Sequence, residues 1–538
     1  MADKIESIVK RFRNGIAKIT CQNAEISVCQ PFATQSDEMV CGTGFLIPAK
    51  HLYLPTTVGT EQIMYFVTNA HVVEGCASKR VQLELPSMGT HKFYGTVVTA
   101  CNALDFAVVA VTSEYNNLME QQLGKTFHEV MNELPFLKPN ARVLNTSKEL
   151  YHSVATCGFP LDSADCHVAS GRISGKHEHY LQLNSSISSG NSGGPLFNTR
   201  GEVIGICAAT FEDGEGLALA IPWSAISKML LSYKNEGQFI LREPHLGIAV
   251  QNLIYAYSIV VLKDESVRGA LVKNVFEKSP LKKYVKKNDV ILQIGDATQE
   301  FAIDSKCLVK VPSQHDKIHF CSLSLAMLLD RNTTYVEVWR RGKVRRIEFV
   351  LSNDVGKVET IMASIEEQPC LIWAGLTFTN LTVNHLESVE DESDPAIVSF
   401  LTNSHMGQNG VVLSAFQRPY SVLQQGYENL KTMTIVKKLN NTEVSSVEDM
   451  EKALTKMIKR YLSDIENPKH RFITMVAHSK EEFIVDLQLA FSLEPLLGCT
   501  PGYPSELSIL DKFLPEFTEA TTRETSANKK KRKRRRLV

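Results

Sequence analysis

The chain has 538 residues, 43% of them hydrophobic and 22% charged. That length calls for two to four domains, and that composition belongs to globular rather than disordered protein. The formal charge of -1 conceals an imbalance: without the eight basic residues from Lys529 to Arg536, 50 basic residues face 59 acidic ones, so the body is acidic and offers no general cationic surface to nucleic acid.

The opening "MADKIESIVKRFRNGIAKIT" carries charges throughout and lacks the apolar centre of a secretory signal. No stretch reaches the roughly eighteen uninterrupted apolar residues that would span a bilayer, which points away from a membrane partner. Twelve cysteines without a C-x-x-C pair are expected to be reduced and mostly buried.

From about Ser7 to Leu231, short apolar runs alternate with glycine-rich turns: "GTGFLIPA", "IMYFVTNA", "VQLELP", "FYGTVVTA", "DFAVVAVT", "SVATCGFP", "HVASGRISG", "YLQLN", "EVIGICAAT" and "LALAIP". Such spacing predicts an all-β sandwich or a pair of barrels. Long loops or a small helical insert are expected at residues 50–62 and 114–149, and a closing helix at "IPWSAISKMLLSYKNEGQ". Near Phe239 the character changes. A first α+β module runs over 245–353, with strands at "HLGIAVQNL", "GALVKNV" and "DVILQIGD", helices at "SPLKKYV" and "SLSLAMLLD", and a hairpin turning at Arg341-Gly342. A second begins near Leu371, with strands at "LIWAGLTFTNL", "GVVLSAFQ" and "MTIVKKLNNTEV", a helix at "SVEDMEKALTKMIKRYL" and a last strand pair at "RFITMVAHSKEEFIVDLQL". The shared order makes the two a weak internal repeat. Residues 521–538 read as disordered.

The chemistry gathers around "SGNSGGPLFN", residues 189–198. Its G-x-S-x-G also fits the nucleophile elbow of α/β-hydrolases, but that motif needs a helix directly after the serine, and here Pro195 leads into β-type sequence. A serine on a loop between barrel strands is the other solution, with its partners upstream in the order His, Asp, Ser. "YFVTNAHVVEG" supplies His71 after an apolar run, and "ALDFAVVAV" supplies Asp105, a lone charge opening an apolar strand. Burying that carboxylate alone would cost several kcal/mol, so it should have a partner. Each residue also has a bland reading, as core histidine, strand cap or plain turn; their order and context together favour a nucleophile (Ser192), a base (His71) and an orienting acid (Asp105). The glycines then shape an oxyanion hole, with the N–H groups of Gly190 and Ser192 as donors and Asn191 forming the turn.

"TNAHVV", "LDFAVVAV" and "SGNSGGPLFNTRGEVIGI" resemble the three signature blocks of HtrA/Deg-type serine proteases of the chymotrypsin fold, and "GTGFLI", "CGFPLD", "VASGRISG" and "GLALAIP" resemble the strands between them. The modules that follow resemble PDZ domains; their layout, with "WAGLTFTNL" and "QQGYENL" in a divergent second copy, is similar to the two-PDZ Deg proteases of the eukaryotic nucleus and nucleolus. The resemblance implies an all-β double-barrel protease domain over 1–235, PDZ-like domains over 245–353 and 369–495, and an extension with a basic tail over 496–538. It further implies ATP-independent endopeptidase action on unfolded or damaged polypeptides, no cofactor or metal, and a homo-oligomer built from trimers. Ser186 and Ile187 are expected to line the substrate pocket and to favour a small or medium apolar residue. "PHLGIAV" resembles a PDZ carboxylate loop, which makes His245, Leu246, Gly247 and Ile248 peptide-binding candidates.

Two departures bear on activation: "LNSSIS", with Asn184 where the family carries an acidic residue, and the long loop before "YFVTN". The run from Lys529 to Arg536 is expected to engage a nuclear import receptor, giving a nuclear location with the cytoplasm as alternative; attachment to RNA or DNA is a further reading. A non-proteolytic chaperone or scaffold is the rival to the enzyme.

Overall fold

The computed structural model describes residues 7–523 except 9, 27, 30–33, 59–60, 77–78, 90, 114–123, 125, 143–150, 178–179, 186–187, 189, 211–217, 235–238, 277, 312–316, 323–332, 356–357, 359, 364, 388–408, 418–429 and 500–502. The chain forms two compact units, one of Met1–Glu25 with Ser36–Val355, the other of Ile26–Gln35 with Gly356–Val538.

The first unit opens with a closed antiparallel barrel, in the order Ile16–Ile26, Thr34–Ile47, Met64–Thr68, Phe106–Val111, Lys92–Cys101 and Arg80–Glu84. Met64–Thr68 and Phe106–Val111 are buried along their whole length and pair from Met64↔Val111 to Thr68↔Ala107. This is why both read as unbroken apolar runs rather than as alternating ones. A second barrel follows in the order Pro195–Asn198, Ser153–Gly158, His167–His177, Tyr180–Leu183, Ala218–Pro222 and Glu202–Thr210. The pairing of Pro195–Asn198 with Glu202–Thr210 closes it, and Lys138–Pro139 adds to its rim. The all-β double barrel expected from the sequence is therefore the architecture of this region.

Both barrels share one core, in which Phe45, Val67 and Phe106 of the first join Phe197, Ile206 and Ile221 of the second. The helix Trp223–Tyr233 seals it with Trp223, Ile226 and Met229, all essentially inaccessible. The insertions contain a short ribbon of Thr57–Val58 with Glu61–Gln62 and a helix at Phe127–Asn132.

A third sheet in this unit runs Ile248–Asn252, Ala270–Val275, Val290–Gly295, Tyr335–Arg340 and Lys343–Glu348. The helix expected at residues 279–285 is instead a set of tight turns, with Lys282 donating to the Ser279 carbonyl and Tyr284 to that of Leu281. The Ser279 hydroxyl bonds outward to the Leu246 carbonyl and receives the Leu281 N–H, and so short a run has too few turns to sustain a helix against that competition. The helix expected at "SLSLAMLLD" falls largely outside the described residues.

The second unit holds a sheet in the order Cys370–Trp373, Leu376–Asn380, Val411–Phe416, Thr434–Leu439, Phe472–Ala477 and Glu482–Asp486. The helix Val447–Ser463 lays Val447, Met450, Leu454, Ile458 and Tyr461 onto its core. The last strand stops earlier than its sequence suggests: Asp486 accepts the Gln488 N–H at 3.0 Å and starts a helix, Leu487–Gly498, as a cap should. Ile509, Leu510 and Phe513 join the same core, and residues 514–523 are helical; the basic tail and "QQGYENL" up to Asn429 lie outside the described residues. Among the described residues no helix is long and apolar enough to cross a membrane.

Candidate active site

The strand Met64–Thr68 ends in Asn69, and one turn of helix, Ala70–Val73, carries His71 outward while Val72 and Val73 are buried beneath it. Across the ladder, Asp105 precedes Phe106–Val111 with φ +46°, a left-handed conformation that aspartate tolerates better than most residues. The pairing of Thr68 with Ala107 brings the two to the same barrel end. There the His71 Nδ1–H faces both carboxylate oxygens of Asp105 at 3.0 and 2.9 Å, the His71 backbone N–H donates to Oδ1 at 3.0 Å, and Asn69 Nδ2 donates to the Asp105 carbonyl at 2.7 Å. An acceptor-only carboxylate demands a donor, so the proton sits on Nδ1 and the Nε2 lone pair faces outward. Burial pushes the imidazole down, but the hydrogen bond and charge of Asp105, with the charge of Glu74, outweigh it and hold His71 above the ordinary histidine value. Its side chain keeps 44% of its surface exposed, which leaves Nε2 open to a substrate.

Ser192 sits on the loop between the strands of the second barrel and is sewn to the first. Thr43 donates its backbone N–H to the Ser192 carbonyl at 2.8 Å and its hydroxyl to the Gly190 carbonyl at 2.7 Å, and it accepts the Phe159 N–H at 3.1 Å. Thr68 in turn donates to the Thr43 carbonyl at 2.7 Å. Gly190 and Gly193 have φ of +93° and +86°; a Cβ would lie 2.2 Å from the Phe159 carbonyl at the first and 2.0 Å from that of Thr43 at the second. No other residue type fits either place. Of the residues assigned to the oxyanion hole, Asn191 commits its N–H to Ser188 at 3.0 Å and so acts as a turn former. The Ser192 hydroxyl donates to the Ala208 carbonyl at 3.1 Å. With one proton to give, it is not directed at His71 in this state.

His71 and Asp105 are thus in contact, and Ser192 lies on a loop fixed to their barrel. The expected pocket residues Ser186 and Ile187 lie outside the described residues. Asn184 accepts the Arg172 N–H at 2.6 Å, an acceptor role that an amide fills as well as a carboxylate. Elsewhere in the unit, Leu246, Gly247 and Ile248 are buried and His245 is half-buried; Gly247 has φ +67°, its carbonyl accepts the Phe276 N–H at 2.9 Å, and His245 donates to Ser352 at 2.7 Å. Sequence reasoning missed Thr43, Thr68 and Asn69 as the struts of the site. Their signal was present: each is a fully buried polar residue within an apolar run, where a satisfied partner is required. Among the described residues no cluster of His, Cys, Asp and Glu could hold a metal ion.

Comparison with known proteins places this geometry in context. Residues 42–206 match the trypsin-like peptidase domain family. The chain is 25% identical over 450 residues to protease Do-like 2, chloroplastic, of Arabidopsis thaliana, covering 79% of this chain and 65% of that relative. It is 30% identical over 262 residues to the probable periplasmic serine endoprotease DegP-like of Chlamydia pneumoniae, covering 48% of this chain and 47% of the relative. The chain therefore spans about half to two-thirds of the length of these relatives. The crystal structure of the serine endoprotease from Yersinia pestis aligns with a TM-score of 0.42 and 20% identity, over 65% of this chain and 97% of that one.

Proposed function

We propose that this chain, which is similar to the HtrA/Deg-type serine proteases, is an ATP-independent serine endopeptidase acting on unfolded or damaged polypeptides. The observation that carries the reading is the His71–Asp105 pair, doubly bonded at 3.0 and 2.9 Å, beside a serine loop bound to the same barrel through Thr43. In this reading the Ser192 hydroxyl leaves the Ala208 carbonyl and turns to His71 Nε2, an exchange of acceptors worth about 1 kcal/mol. Ser192 Oγ attacks the scissile carbonyl as His71 takes its proton, Asp105 stabilises the imidazolium, and the N–H groups of Gly190 and Ser192 receive the oxyanion. His71 then protonates the leaving amine, and water releases the acyl group by the same route.

The pocket role of Ser186 and Ile187, with a small or medium apolar preference, belongs to this proposal. So do the PDZ identity of the modules at 245–353 and 369–495, the trimeric assembly, and nuclear delivery through Lys529 to Arg536. The left-handed Gly247 supports a carboxylate-binding turn in the first module, since backbone N–H groups in such turns form anion nests. The test is cleavage of unfolded casein by the full chain and by Ser192→Ala. Cleavage by the wild type, reduced by at least about 10³-fold in the variant, is expected. Equal cleavage by both, or none by either, would leave the chaperone or scaffold reading, to which the Ala208-bound serine already corresponds.

A further inference from the structure

The serine turn lies against a loop of the second barrel, residues 158–163, whose conformation its own residues do not explain. Leu161 and Asp162 are consecutive left-handed residues, with φ of +51° and +61°. Residues other than glycine persist in such conformations only where their surroundings over-determine them. Apolar packing does not supply that here, because Leu161 is 80% exposed. The Ser163 N–H closes the turn onto the Pro160 carbonyl at 3.0 Å, a bond internal to the loop that does not fix it to anything else.

The hold comes from the first barrel. Lys18, on the strand Ile16–Ile26, pairs with Asp162 Oδ1 at 2.5 Å and donates to the Asp162 carbonyl at 3.3 Å. One ammonium thus takes both the side chain and the backbone of a left-handed residue. A fully exposed ion pair would add little, but the Lys18 side chain is only 12% exposed against 64% for Asp162, so the barrel encloses the cationic end. Burial pushes the Lys18 ammonium down, yet the hydrogen bond and charge of Asp162 outweigh it and hold Lys18 above the ordinary lysine value. Lys18 in turn holds the Asp162 carboxyl below the usual carboxylate range. The loop so anchored is a wall for the serine turn. A Cβ on Gly190 would lie 2.2 Å from the Phe159 carbonyl oxygen and 3.2 Å from the Leu161 nitrogen, and one on Gly158 would lie 2.6 Å from Asn191 Oδ1. At Gly190 backbone packs on backbone, with no side chain between to absorb a shift.

We propose that Lys18 and Asp162 are positioning residues for the turn at 190–192: their ion pair fixes the wall against which Gly190 lies, and with it the N–H groups assigned to the oxyanion. Thr43 secures the same turn directly; Lys18 is a second strut from the first barrel and acts through the loop. A displacement of about 1 Å at positioning groups costs about 10²-fold in rate. Because an oxyanion contact is made in the transition state, the loss falls on kcat rather than on KM. The effect on rate rests on the protease reading; the hold on the turn does not.

The test compares the full chain with Lys18→Met, Asp162→Asn and the double variant in three readouts: kcat and KM for casein cleavage, amide exchange of the peptide carrying residues 189–198, and the urea midpoint. Each single substitution is expected to lower kcat by about 10²-fold at an unchanged KM and to speed exchange in that peptide ahead of the rest of the chain. The double variant should match either single one, since the two residues act as a unit. Unchanged kcat and exchange in Asp162→Asn, additive losses in the double variant, or a lowered urea midpoint with exchange faster throughout the chain would overturn the proposal. If Lys18→Met fails to fold, Asp162→Asn, at the exposed end of the pair, decides. A wild type that cleaves nothing would count against the protease reading alone, because exchange scores the strut without activity.

Discussion

His71 is pulled two ways, down by its burial and up by the Asp105 carboxylate, and the carboxylate prevails. In the proposed mechanism the neutral imidazole is the base, so activity should rise with pH through a midpoint above the ordinary histidine value of about 6.5. Stability has the opposite sign: a raised folded-state value stabilises the fold fully below the unfolded value, and that contribution is lost as pH rises through the folded one. In Asp105→Asn the burial remains and the counterweight is gone. The acidic limb of the kcat/KM profile should then move below about 6.5 while kcat falls by about 10⁴-fold. A profile unmoved by the substitution would mean that His71 is not the titrating base. At this scale the sequence was legible in the pairing of His71 with Asp105 and in the turn glycines at 190 and 193. It was not legible for Ser192's hydroxyl, because a rotamer is chosen by neighbours such as Ala208 that no local pattern announces.

Among elements, the buried strands were readable because two-sided burial leaves unbroken apolar runs, as at Met64–Thr68 and Phe106–Val111. Val447–Ser463 was readable from its helical periodicity and its cap, Ser446, which accepts the Asp449 N–H at 3.2 Å. Residues 279–285 misled because Leu281 and Val285 stand at helical spacing yet are buried, at 0% and 2% exposure, by turns that Ser279 directs. The third sheet depends on a link invisible in sequence: Arg340 grips Asp289 through Nε at 2.6 Å and a terminal nitrogen at 2.5 Å, and Asp289 is 2% exposed. Arg340→Leu would leave that carboxylate buried without its cation, at a cost of about 3–5 kcal/mol. Urea unfolding monitored at Trp339, on the same strand, should show the loss; a midpoint unchanged within error would mean that Asp289 is satisfied by other groups.

For the whole molecule, the double barrel was the most legible feature, since turn spacing and apolar runs over some 200 residues leave few alternatives. Loop placement and the reach of the C-terminal segment were less so: Ile509, Leu510 and Phe513 join a core although their stretch lacks a strong period. The charge distribution belongs to this scale as well. An acidic body with eight consecutive basic residues from Lys529 to Arg536 suits delivery by a receptor that reads short cationic runs. Deleting those residues from a fluorescent fusion should move it from nucleus to cytoplasm, and nuclear retention after deletion would refute that role.

In the proposed mechanism Ser192 is a nucleophile activated by His71 and Asp105. A fluorophosphonate reacts only with a serine so activated, so the most direct measurement is the intact mass and peptide map of the full chain after labelling. A single adduct is expected, on the peptide carrying Ser192, absent from His71→Ala and Ser192→Ala. An unlabelled wild type, or an adduct that persists in His71→Ala at the wild-type rate, would contradict it.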